Sequence, residues 1–209
     1  MAKSGRGPQR TTKQDWLEKA LDMLVENGAS SIKISTLARN LDCARSSFYW
    51  YFKNLDDLLS HILDYWQRIN TNPIVEFAGI QSDTICEAVL RIFICWADET
   101  KFNARLDFAV REWSRHNRNV KQLIDHSDSL RIEALQSMFI RHGYGSREAF
   151  VRARTLYHSQ IGYYAIDSQE NYSERTQWVA EYVYCFTGKK ASKSELDEYR
   201  KSMQALYED

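Results

Sequence analysis

Leu41-Asp42-Cys43-Ala44-Arg45-Ser46-Ser47-Phe48-Tyr49-Trp50-Tyr51-Phe52-Lys53-Asn54-Leu55-Asp56-Asp57-Leu58-Leu59 is the stretch on which the fold turns. Asp42-Cys43-Ala44 reads as a tight turn between two short helices. Before it, Ser35 can cap a helix buried through Leu37, Ala38 and Leu41. After it, a third helix covers about 45–52 and carries hydroxyl, aromatic and cationic side chains. Two short helices on so short a turn fit a helix-turn-helix. The major groove is about 12 Å wide and admits one helix, which a second helix packed across it must hold out from the body. Leu37, Ala38, Leu41 and Phe48 supply a small core, leaving Arg45, Ser46, Ser47, Tyr49 and Trp50 on or near the exposed end.

Working outward, Thr12 with Asp15 opens a first helix as a short capping box. Trp16, Leu17, Ala20, Leu21, Leu24 and Val25 form its apolar stripe, and Gly28 stops it. Residues 1–10 read as a flexible basic arm. Asn54 with Asp57 caps a long fourth helix, buried through Leu55, Leu58, Leu59, Ile62, Leu63, Trp66 and Ile69, and Pro73 ends it. Cap-like residues mark further helices over about 82–100, 104–115, 117–142, 146–167 and 173–186, with Gly143 and Gly188 as stops. Ser194 with Asp197 opens a last short helix. The reading is all-α: the arm 1–10, a head over 11–58 and a helical body over 59–209, the last two joined through the fourth helix.

With 44% hydrophobic residues the chain has the apolar mass for a sizeable core, and only Pro8 and Pro73 interrupt helices. No apolar run approaches the roughly 18 residues that span a bilayer. The basic N-terminus leads into no apolar segment, so no signal peptide is expected and the expected location is cytoplasmic. Cys43, Cys86, Cys95 and Cys185 form no C-x-x-C pair and read as free thiols. Net charge is zero, yet through Lys53 nine cations face five anions, which leaves that quarter at +4. A basic end on an acidic remainder suits a polyanion. Neither a nucleophile elbow, a glycine-rich phosphate loop nor H-E-x-x-H occurs, so neither an enzyme nor a cofactor is expected.

The stretch from Leu41 to Leu59, with the first helix before it, resembles the TetR family of regulators over about 11–59. There the pattern runs leucine-glycine-valine-serine, then a small residue, threonine-leucine-tyrosine and histidine-phenylalanine, then lysine and acidic residues before leucines. The resemblance implies phosphate contacts at Thr36, Tyr49 and Lys53, and base or groove contacts at Arg45, Ser46, Ser47 and Trp50. Arg45 could bond guanine in bidentate fashion, and Arg6 and Arg10 could follow the backbone or enter the minor groove. The chain departs from the pattern at Asp42 (glycine), Ala44 (serine), Tyr51 (histidine) and Leu55 (a phosphate-touching lysine). Asp42 tolerates a left-handed backbone, Ala44 forfeits a cap of about 1 kcal/mol, and Leu55 forfeits one backbone contact.

The resemblance further implies double-stranded operator DNA, a homodimer through about 146–167 and 173–186, and a small-molecule effector. Ala149, Ala153, Leu156, Gln160 and Tyr164, then Trp178, Tyr182 and Cys185, are spaced to form the dimer faces. Trp66, Phe93, Trp96, Phe108, Trp113 and Tyr157 are the candidate pocket aromatics. Glu112 and His116 lie one helical turn apart and could furnish two metal ligands, with surface pairing as the plainer role. Two rivals remain open: a helical adaptor whose head no longer binds DNA, and a metal or thiol sensor.

Overall fold

A computed structural model describes residues 11–166 and 170–208, and among them every regular element is helical. The arm at 1–10, with Arg6 and Arg10, and position 167 of the expected 146–167 helix lie outside the described residues. The chain divides into two compact units between Tyr65 and Trp66.

The first unit begins with α1 (Lys13–Asn27). Thr12 and Asp15 cap it reciprocally: the Asp15 carboxylate accepts from the Thr12 amide at 2.6 Å, and the Asp15 amide donates to the Thr12 hydroxyl at 3.2 Å. Gly28 ends it at φ +75°. Next come α2 (Ile34–Asn40), a 3-10 helix (Arg45–Trp50) and α3 (Leu55–Trp66). Trp16, Ala20, Leu24, Leu37, Phe48, Phe52, Leu58 and Ile62 are buried together as its core, and Trp16 meets Phe48 edge-on at 5.2 Å. The α2 cap is Lys33, with no side-chain bond, because the helix starts at Ile34 and Ser35 already lies inside it.

The second unit opens with a wider π-helical turn (Gln67–Thr71), then α4 (Asn72–Gly79). Pro73 therefore does not end the helix as expected. It sits in the first turn of α4, where a missing N–H is tolerated, just after a turn that already departs from the i→i−4 ladder. The remaining helices are α5 (Ile85–Ala97), α6 (Ala104–Ser114), α7 (Arg118–Arg141), α8 (Ser146–Ile166), α9 (Tyr172–Thr176), α10 (Val179–Thr187) and α11 (Lys193–Glu208). The two longest, α7 and α8, pack along each other, α4 and α6 lie on α7, and α11 and α10 cover α5.

Three expected boundaries move. Thr84, not Ser82, caps α5 by accepting from the Glu87 amide. The stretch 173–186 breaks in two after Thr176, with a box of Asn171 and Glu174 opening α9. The last helix is 16 residues long, and its opening box is Ser192 with Glu195, one pair upstream of the expected Ser194 and Asp197.

Candidate nucleic-acid interface

The turn expected at Asp42-Cys43-Ala44 is in place, and Asp42 takes φ +49°, the left-handed conformation that an acidic side chain tolerates. Ala44 leaves the next helix without a side-chain cap. That helix is wound with three residues per turn, so positions three apart stack in rows. Phe48 points into the core at 0% exposure and anchors the segment against Leu37 and Ala38. Arg45, Ser46, Tyr49 and Trp50 are exposed, the two aromatics at 57% and 64%. Lys53 follows, also exposed, and Thr36 is half-buried on α2.

Ser47 is the correction. It is 8% exposed and its hydroxyl donates to the Ala44 carbonyl at 2.7 Å, so it steadies the uncapped start of the helix instead of facing outward. The three-residue winding places it in a row that an α-helical reading misjudges.

Other bonds hold this surface. The Tyr51 hydroxyl donates to the Thr11 carbonyl at 2.7 Å, which ties the end of the 3-10 helix to the start of α1. Lys13 Nζ lies 2.8 Å from His61 Nε2 and over the Phe52 ring, which joins α1 to α3. At the start of α3, the Asp57 amide donates to Asn54 and the Lys53 amide donates to the Asp57 carboxylate. Carboxylates of the chain itself thus cap the helix end at which Leu55 stands in for the lysine of the TetR pattern.

In the second unit, two of the six candidate pocket aromatics meet one group. Arg131 is fully buried, 5.1 Å from the Trp66 ring and 6.0 Å from that of Tyr157. Around it a polar network closes: Trp66 Nε1 donates to Asp107, Arg131 to Thr71, Asp107 and Tyr157, and Arg111 to Asp107, Asp128 and Tyr157. The Tyr157 hydroxyl donates to Asp128 at 2.6 Å. Burial pushes the Tyr157 phenol up. For Asp128, burial alone would raise the carboxyl, but the bonded Arg111 outweighs it and holds the group below its ordinary value. Two arginines against two aspartates leave no net charge, which is what makes such a burial tolerable.

The other four aromatics are elsewhere: Phe93 stacks near Trp96, Trp113 is half-buried and Phe108 is 45% exposed. An open cleft of about 550 Å³ is lined by Ser82, Arg141, His142, Lys189 and Glu195 among others, none of them expected from the sequence. The acid–base network was also missed, although Asp107 with Arg111 and Asp128 with Arg131 are spaced to pair on one helix face.

The α8 dimer face is likewise reversed. Ala149, Ala153 and Leu156 are buried within this unit, and Tyr164 is half-buried, stacked on Phe102 at 5.4 Å. The outward apolar groups of α8 are Phe150, Val151 and Ile166, and on α10 Trp178 and Tyr182 are exposed, the first as its cap residue. Glu112 and His116 form an exposed pair at 4.0 Å, and no group of three or more metal-ligating side chains occurs among the described residues. Cys86 and Cys95 are buried, and burial pushes the Cys95 thiol up to about 12. No described helix is long and apolar enough to cross a membrane.

No family model matches the chain. It is 31% identical over 72 residues to the HTH-type transcriptional regulator AcrR of Shigella flexneri, a match that takes in 34% of this chain and 32% of that relative. The chain thus spans about a third of the relative's length. Among solved structures, Mycobacterium smegmatis AmtR superposes with a TM-score of 0.61 at 16% identity, covering 97% of this chain and 98% of that one. Salmonella enterica GusR does so with a TM-score of 0.57, also at 16% identity, over 94% and 95%. From its helix-turn-helix to its last helix, the chain has the fold of the TetR-family regulators.

Proposed function

We propose that the chain is a DNA-binding transcription regulator, with its head over 11–58 and a ligand-binding and dimerising body over 59–209. In this reading it engages a palindromic operator as a homodimer and releases it when a small molecule binds the body. The observation that carries the reading is the outward face of the 3-10 helix. Arg45, Ser46, Tyr49 and Trp50 stand clear of a core that Phe48 anchors, and Lys53 follows. Two large aromatics exposed side by side on a small unit are a contact surface, and the neighbouring cations suit a phosphate-bearing partner. Exposed Trp178 and Tyr182 support the dimer, which sets two such helices about one DNA turn apart, roughly 34–36 Å.

A gel shift with DNA upstream of the chain's own gene tests the reading. The expected result is a complex that unrelated duplex does not compete away and that Tyr49→Ala with Lys53→Ala weakens at least about ten-fold, or roughly 1.4 kcal/mol. Binding that ignores sequence, or that the double variant leaves intact, overturns it and favours the adaptor.

A further inference from the structure

We propose that Trp50 is a specificity residue that reads the 5-methyl group of a thymine in the major groove. The proposal rests on the DNA-binding reading above and says which base feature the head selects. In the three-residue winding, Ser47 and Trp50 share a row. Ser47 is turned inward and bonded to Ala44, so that row presents the indole to a partner and no hydroxyl. The indole is 64% exposed, beside Tyr49 at 57%, whereas aromatic side chains usually bury most of their surface.

The chemistry of base edges then limits the match. Base pairs show hydrogen-bond donors and acceptors in the major groove and one apolar group, the thymine methyl. An indole has a single donor and cannot make the paired bonds by which Arg, Asn or Gln recognise a purine. Its ring carbons match the methyl. Arg45, at the opening of the same segment, has the complementary chemistry for guanine, so the half-site holds both features.

The experiment first selects an operator from random duplexes with the full chain. Each thymine is then replaced singly by deoxyuridine, which removes the methyl and keeps the hydrogen-bonding edge. At one position per half-site, affinity is expected to fall about four-fold, the worth of one methyl group leaving an apolar contact. Trp50→Ala should bind more weakly and lose that sensitivity, and Trp50→Leu should keep part of it. Circular dichroism and the melting midpoint, unchanged for an exposed side chain, show that the variants are folded.

If no sequence is enriched, the DNA-binding reading itself fails and takes the proposal with it. An enriched operator that is indifferent to uracil everywhere overturns the proposal alone. So does a Trp50→Ala protein that keeps the wild-type sensitivity, or one that weakens on every duplex equally, which would place the indole against sugar and phosphate.

Discussion

Asp128 shows how one side chain can serve several partners without an unpaired charge. Its carboxylate accepts from Arg111 and Tyr157, and those bonds hold it below the usual carboxylate range. A carboxylate depressed in the folded state stabilises that state above the unfolded value of about 3.9, and the contribution is lost as pH falls through the lower folded value. Asp128→Asn should therefore lower stability at neutral pH by about 2 kcal/mol, the scale of a hydrogen bond to a charged group. The gap to the parent should shrink as pH is taken below about 4. Thermal melts of both proteins between pH 7 and pH 3 measure it, and a gap that stays constant would exclude the charge as the cause. None of this was legible from spacing, since pairing along a helix does not reveal whether the pair faces solvent. Ser47 was misjudged for a related reason: its direction depends on three residues per turn, and nothing in its neighbours announces that winding.

At the scale of elements, the sequence is more readily interpreted. Thr12 with Asp15, Asn117 and Gly143 mark helix ends because capping uses local bonds within a few residues. Ser35 and Ser194 fail as caps because serines stand close together there, and only the backbone decides which comes first. The start of α3 carries the element-scale prediction. Asp57 and Asn54 already satisfy amides there, and Leu55 offers no cation. On the proposed function, Leu55→Lys should gain one phosphate contact. Affinity for any duplex should then rise at low salt, and the slope of log K against log salt should steepen by about 0.9. Fluorescence anisotropy across a salt series reads both, and an unchanged slope would mean that this helix end does not approach the backbone.

At the scale of the whole molecule, the all-helical reading held because the apolar stripes and scarce prolines leave little else open. The α8 dimer face did not, since a helix apolar on two sides gives a spacing and no direction: Ala149 and Ala153 look inward while Val151 looks out. Trp178→Glu with Tyr182→Glu should therefore yield a folded monomer by sedimentation, with operator affinity reduced at least ten-fold because two half-sites are no longer held together. A dimer that persists would move the interface elsewhere. The π-turn at Gln67–Thr71 bears on ancestry. A five-residue closure accommodates one more residue than an α-turn, and here the Asn72 amide donates to Gln67. Asn70 and Thr71, which this bulge turns inward, are held by the Asn103 carbonyl and by Arg131. A sibling gene one codon shorter at this point should have lost that arginine as well, so the insertion and its partner were inherited together.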